Sequence, residues 1–182
     1  VITIPSTLTS IGNNAFENCS ILENITLYEG LGSIGEFAFS GCSNLEGITI
    51  PSTVTSIGNN AFENCSDIES VNILEGVTSI GEYAFSGCTS LKNLKIPSTI
   101  ENIGEYAFSG CTNLESIEIL EGITSIGNHT FRDCVGLTSI QLPNSVTKIG
   151  MHAFRDCSSL GSIVLPSSIT SIGRFAFCDC SS

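Results

Sequence analysis

The nine residues IGEYAFSGC at 80–88 return unchanged at 103–111 and, with one substitution, as IGEFAFSGC at 34–42. The copies belong to a longer series. Cys19, Cys42, Cys65, Cys88, Cys111, Cys134, Cys157 and Cys180 are each 23 residues apart, so eight repeats follow one another without an insertion. In every repeat a Phe stands three residues before the Cys, from Phe16 to Phe177, and an Ile–Gly pair stands eight and seven before it, from Ile11–Gly12 to Ile172–Gly173. After the Cys the apolar spacing L-x-x-I-x-I recurs, as in Leu45, Ile48, Ile50 and Leu114, Ile117, Ile119, and a further aliphatic follows four residues on, as at Val54 and Ile123.

A unit of this length cannot bury such a face alone, so successive turns must stack and cover one another. The I-x-I segment reads as a short parallel strand whose alternate side chains share a face. It is bounded by Pro5, Pro51, Pro97, Pro143 and Pro166, which end a ladder by lacking an N–H, or by Tyr28, Leu74 and Leu120 of a (Leu/Tyr)-Glu-Gly corner. The second aliphatic segment, as in VTSIG at 54–58, suits another brief extended stretch, with its Gly expected to turn the chain at positive φ. The following A-F-x-x-C spacing predicts one or two turns of α or 3-10 helix.

The pattern L-x-x-I-x-I-P-x-x-(V/I)-x-x-I-G-x-x-A-F-x-x-C resembles the BspA-like, or treponemal-type, leucine-rich repeat over essentially the whole chain. The resemblance implies a right-handed leucine-rich-repeat solenoid of eight 23-residue turns, short parallel strands and short helical turns. It also implies a secreted or surface-displayed protein of bacteria or parasitic protists, associated with adhesion to host matrix or to other cells. Residues 1–182 read as a single array. It starts at a strand and ends two residues after the eighth Cys, so a fragment of a longer protein without its capping repeats is expected, with any signal or anchor outside this chain. Uncapped ends also suit end-to-end self-association.

Composition narrows the partners. Charged residues are 13% of the chain, and 18 acids face 6 bases, which argues against nucleic acid because a phosphate backbone selects Lys and Arg. Residues 1–91 carry ten acids and no base, whereas 92–182 carry eight acids and all six bases. No apolar run reaches the ~18 residues that cross a bilayer.

Nine cysteines invite a disulfide or zinc reading, but their spacing opposes both. Cys178 and Cys180 form the one close pair, whereas a structural zinc site takes two such pairs. Cysteines on stacked turns would point in parallel, with Cβ atoms ~4.8 Å apart, beyond what a relaxed disulfide needs. They are expected to be buried free thiols, with Cys178 exposed. His129 and Asp133, like His152 and Asp156, repeat an H-x-x-x-D pattern. The Asp position is Asn or Gly in other repeats, so it reads as a turn position, and no nucleophile motif or phosphate loop accompanies it. No catalytic residue, metal site or cofactor is assigned, and an enzyme is not expected.

The candidate partner-binding residues are Tyr83, Tyr106, His129, His152 and Phe175, one per turn, five residues before the Cys. Phe37 and Asn60 precede them in the row. Stacked, these rings would form a ladder whose amphipathic members suit an interface. The alternative surface is the strand face, Thr26, Thr49, Asn72, Lys95, Glu118 and Gln141, flanked by Glu23, Glu46, Glu69, Lys92 and Glu115; it is small, polar and poor in anchors. The function expected is a non-enzymatic interaction module for a protein ligand, host matrix or another cell-surface protein. The alternative is a spacer or stalk that displays a different binding domain.

Overall fold

The structure, a computed structural model, describes residues 2–180. It contains two strands in every repeat and nothing longer than four residues. The first kind comprises β1 (Ile2–Thr3), β3 (Ile25–Thr26), β5 (Gly47–Ile50), β7 (Ser70–Ile73), β9 (Asn93–Ile96), β11 (Ser116–Ile119), β13 (Ser139–Gln141) and β15 (Ser162–Val164). The second comprises β2 (Ser10–Ile11), β4 (Ser33–Ile34), β6 (Ser56–Ile57), β8 (Ser79–Ile80), β10 (Asn102–Ile103), β12 (Ser125–Ile126), β14 (Lys148–Ile149) and β16 (Ser171–Ile172). All pairing between these strands is parallel and in register at 23 residues, for example Ile117 with Ile140 and Ile57 with Ile80. Strands β5 to β15 form a six-stranded sheet and β1 pairs with β3. The second kind forms one sheet from β2 to β10 and another from β12 to β16. The chain is therefore a parallel-strand solenoid in which seven 23-residue steps join eight copies of each strand.

The helical turns expected after the Ile–Gly pair do not form: the described residues contain no helix. The reason lies in the backbone. Position five before each Cys has positive φ, from 53° at Phe37 to 58° at Tyr106, and so does the position just before the Cys, as at Asn64 (57°) and Gly87 (72°). Two left-handed residues four apart cannot continue a right-handed helix. Alternate amides instead point to the next turn. Asn60, Phe62 and Asn64 donate to the carbonyls of Glu82, Ala84 and Ser86 at 2.7–2.8 Å, while Ala61, Glu63 and Cys65 close turns three residues back at 3.1–3.3 Å. The segment thus forms a third hydrogen-bonded face of the solenoid. A helix would have spent those amides internally.

The glycine expectation also needs correcting. Gly35, Gly58, Gly81, Gly104, Gly150 and Gly173 are absent from the positive-φ residues. What requires glycine is proximity. A Cβ on Gly58 would lie 2.5 Å from the carbonyl carbon of Gly35 and 2.7 Å from the nitrogen of Glu36, in the turn beneath.

The core is one column. Phe16, Phe39, Phe62, Phe85, Phe108, Phe131, Phe154 and Phe177 stack with ring centroids 5.0–5.6 Å apart and planes within 14° of parallel. Beside it run the strand aliphatics and the cysteines. All nine cysteines are free. In seven of them, from Cys42 to Cys180, the thiol lies 3.1–3.3 Å from the carbonyl oxygen of the Phe 26 residues earlier, to which it donates. Burial pushes the Cys42 thiol up to about 11 and those of Cys111 and Cys157 to about 12, so they behave as small hydrophobes and not as nucleophiles.

A second, 46-residue period overlies the first as far as Pro143, because up to there Glu-Gly corners alternate with Pro corners; the last corner, Pro166, breaks the alternation. The Glu75 carboxylate accepts from the Ser98 amide (3.3 Å), the Ser98 hydroxyl (3.1 Å) and the Thr99 amide (3.3 Å), and the Gly76 amide donates to Thr99 Oγ1 at 3.0 Å. Glu29 clips Ser52 and Thr53 in the same way, and Glu121 clips Asn144 and Ser145. Backbone donation from Ser52 and from Asn144 holds Glu29 and Glu121 below the usual carboxylate range; at Glu75 desolvation opposes the shift, but the bonds from Ser98 and Thr99 outweigh it. A carboxyl lowered in the fold contributes stability above its unfolded value and loses it as pH falls through the lowered one. The urea midpoint is therefore expected to drop as pH falls below the ordinary carboxylate value of about 4.5, and to drop less in the triple variant Glu29→Gln, Glu75→Gln, Glu121→Gln. Parallel curves would show that the clips contribute nothing.

Candidate interaction surface

The five candidate residues come together as one ladder. Ring centroids are 4.6 Å apart for Tyr83–Tyr106, 4.2 Å for Tyr106–His129, 4.8 Å for His129–His152 and 5.2 Å for His152–Phe175. Planes are within 6° of parallel over the first two steps and open to 21° and 24° over the last two. Tyr83, Tyr106 and His152 are half-buried, His129 is buried, and Phe175 is exposed. Because each ring covers its neighbour's face, the surface offered outward is ring edge and phenol hydroxyl. Arg174 sits over the Phe175 ring at 4.6 Å.

Their backbone is what the sequence did not reveal. Every member is left-handed, at φ 54° (Tyr83), 58° (Tyr106), 57° (His129), 55° (His152) and 57° (Phe175). Asn14 and Asn60 fill the same position at 58° and 56°, where Asn is at ease and a bulky aromatic costs ~1 kcal/mol or more. The Asn–ring alternation was the available signal for a left-handed position. Asp133 and Asp156 likewise lie at φ 60°, in the row of Asn18, Gly41, Asn64, Gly87 and Gly110. The H-x-x-x-D pattern thus marks two turn positions.

The ladder's surroundings differ along its length. Glu63, Glu82 and Glu105 lie near the tyrosines, and desolvation, then Tyr106 and these carboxylates, push the Tyr83 phenol up. Around the histidines stand Arg132 and Arg155, with Nε atoms 3.3 Å and 3.0 Å from the Asp133 and Asp156 carboxylates. Burial first, then His152 and Arg132, pull His129 below the ordinary histidine value.

The strand face is hydrogen-bonded and charge-paired across turns. Lys92 meets Glu69 at 2.9 Å and Lys95 meets Glu118 at 3.2 Å. Two shallow grooves lie on it, one of about 600 Å³ between Glu118, Gln141 and Val164, the other of about 400 Å³ between Thr26, Thr49 and Asn72. Cys178 lies outside the buried thiol column, half-buried and donating to Asp179 at 3.2 Å. No helix among the described residues is long and apolar enough to cross a membrane.

The family model for the "BspA type Leucine rich repeat region" matches six copies over residues 1–114 and 78–182. Among solved structures, the chain is 26% identical to the T. pallidum leucine-rich repeat protein, with a TM-score of 0.73, covering 100% of this chain and 77% of that one. It is 28% identical to a leucine-rich cell surface protein of Faecalibacterium prausnitzii, with a TM-score of 0.61 over 98% of this chain and 64% of that one. The pneumococcal vaccine antigen PcpA shares the fold at 24% identity, with a TM-score of 0.75 over 98% of this chain and 48% of that one. The chain thus spans less than two thirds of the length of these last two proteins. No curated protein matches it.

Proposed function

Since the chain belongs to the BspA-type leucine-rich repeat family, we propose that it is a non-enzymatic protein-interaction module of a secreted or cell-surface protein, engaging its partner through the Tyr83–Phe175 ring ladder. The observation that carries this reading is that five consecutive turns place a stacked ring in a left-handed position that Asn60 occupies without strain. Rings kept at a conformational cost on a surface point to a use outside the fold. Surface display is supported by the described location of the Faecalibacterium neighbour. The partner is a protein of the host matrix or of another cell, and adhesion is the role.

The test compares two triple variants against immobilised extracellular-matrix proteins and intact cells, with thermal melts as control. Tyr83→Asn, Tyr106→Asn and His129→Asn together are expected to abolish binding while the array stays folded, since Asn suits that backbone and loss of one aromatic anchor costs ~2 kcal/mol, about 30-fold in affinity. Asn72→Ala, Glu118→Ala and Gln141→Ala on the strand face are expected to leave it within about threefold. The reverse result moves the site to the strand face. Binding unchanged in both would favour a spacer, a role that near-identical stacked turns would also serve.

A further inference from the structure

Among the described residues, the buried side-chain polar atoms without a hydrogen-bond partner fall in one patch: His129 Nδ1, Thr130 Oγ1, Arg132 Nε, His152 Nδ1 and Arg155 Nε. The two Nε atoms approach their carboxylates without hydrogen-bond alignment. The second sheet breaks beside the same patch. Strand β10 pairs with β8 and β12 with β14, but β10 and β12 do not pair. Gly104 and Gly150 donate at 2.8 Å to Ile80 and Ile126 in the preceding turns, whereas Gly127 makes no such bond to Ile103.

Thr130 accounts for the break. It stands where the other seven turns carry Ala15, Ala38, Ala61, Ala84, Ala107, Ala153 and Ala176, and it is fully buried. Its Oγ1 lies 3.1 Å from where a Gly127 Cβ would be, filling space that in other turns the stacked glycine backbone occupies. The Phe column is widest at this step, 5.6 Å between Phe108 and Phe131. The five unpartnered atoms are sealed from solvent, so they do not form an open ligand site.

We propose that the junction between the fifth and sixth turns is a proton-sensitive joint, closed while His129 is neutral and opened along the third face, beside the unpaired β10 and β12, when His129 takes up a proton. The ring is 8% exposed, clamped between Tyr106 and His152. His152, Arg132 and Arg155 repel a charge there, and Glu105 alone attracts one. Asp133 is engaged with Arg132, Asp156 and Asp179 with Arg155, and Arg174 lies beyond His152 on Phe175. A neutral imidazole leaves a lone pair at Nδ1; a protonated one places an N–H there with no acceptor. With its value lowered in the fold, His129 is protonated in the open chain first, so closure is complete above the ordinary histidine range and weakens as pH falls through ~6.5. This window lies above that of the Glu clips. The continuous sheet from β9 through β11 to β13 keeps the turns attached while the other side opens. The inference rests on this geometry and not on the partner-binding reading.

Amide hydrogen exchange tests it on the whole chain. The amides of Tyr106, Phe108 and Gly110 cross the junction to Asn128, Thr130 and Arg132, as those of Phe62 and Asn64 cross an unbroken one. Corrected for intrinsic exchange, protection at the first three is expected to fall by more than about twofold and at most about tenfold from about pH 7.5 to about pH 5.5, the upper limit being set by an open-chain imidazole of ordinary value. Phe62 and Asn64 are expected to change less than about twofold, as no histidine flanks them. His129→Tyr with His152→Phe keeps rings that the row already accepts and should abolish the loss. An equal fall in wild type and variant, or no local fall, overturns the proposal. So does an imidazole titration of the wild type by NMR that places His129 at or above the ordinary value, a readout that holds even if the variant misfolds.

Discussion

Phe108→Ala is expected to destabilise the array by about 3–5 kcal/mol, the range for large aromatic truncations in packed cores. Phe108 is fully buried, with its ring 5.4 Å from Phe85 and 5.6 Å from Phe131. Truncation removes both ring–ring contacts and leaves a gap whose walls are held by inter-turn hydrogen bonds on three faces toward the Phe85 turn and on two toward the Phe131 turn, so the site collapses only in part. In a stacked array stability is a sum of turn and neighbour contributions, and this change weakens two neighbour contacts at once. Phe16→Ala is the internal comparison: that ring is half-buried and has one stacking neighbour, Phe39, so its loss should cost less. The chain has no Trp, so urea unfolding is followed by circular dichroism. A loss under about 1 kcal/mol at Phe108 would mean that the column does not hold the turns together.

The parts legible in the sequence are those that repeat in every turn. The 23-residue period, the Phe column, the parallel I-x-I strands and the free thiols all follow from side chains that must be buried in register. The ring ladder was legible for the same reason. Tyr83, Tyr106, His129, His152 and Phe175 share one place in the period, and stacking does the rest. What escaped was backbone geometry. The A-F-x-x-C spacing is helical in its side chains, yet the amides of Phe62 and Asn64 bond forward to Ala84 and Ser86, and a pattern of apolar side chains carries no record of where amides point. The left-handed positions could have been found from Asn14, Asn18, Asn60 and Asn64, since Asn and Gly share that tolerance. The Glu clips escaped because they repeat every 46 residues, as Glu29, Glu75 and Glu121, and a reading fixed on 23 averages them away. The junction at Thr130 departs from the pattern, and a single Thr among seven alanines reads as conservative until its burial is seen.

The ring row and the Phe column, two residues apart in sequence, meet opposite demands. Phe85 is fully buried, whereas Tyr83 is half-buried and strained at φ 54°. Substitution in the column therefore acts on folding, and Asn in the ring row removes strain while deleting a surface. That separation is what makes the binding test interpretable.

Gly81→Ala is expected to cost about 3 kcal/mol, at the upper end for overpacking, although the usual argument about glycine predicts the opposite sign. Gly81 is not in the left-handed region, and where backbone conformation suits Ala the replacement ordinarily stabilises by ~0.4–1 kcal/mol by restricting the unfolded chain. Contact decides against it. The new Cβ would lie 2.6 Å from the Asn59 nitrogen, 2.6 Å from the Gly58 carbonyl carbon and 2.7 Å from Asn59 Oδ1. These atoms cannot retreat cheaply. Gly81 donates to the Ile57 carbonyl at 2.9 Å, and Asn59 Oδ1 accepts from the Glu82 amide at 2.9 Å. Relief means parting two turns and giving up those bonds. The same row supplies its own controls. A Cβ on Gly12 meets nothing within 4 Å, and the atoms nearest to one on Gly127 are Thr130 Oγ1 at 3.1 Å and the Ile103 and Gly104 carbonyl oxygens at 3.4 Å and 3.9 Å. Stability measured by urea unfolding should therefore rank Gly12→Ala as neutral or slightly stabilising, Gly127→Ala as intermediate and Gly81→Ala as worst. Equal effects at Gly12 and Gly81 would show that the turns can part by the width of a methyl group without cost, and that close stacking is not why this row is glycine.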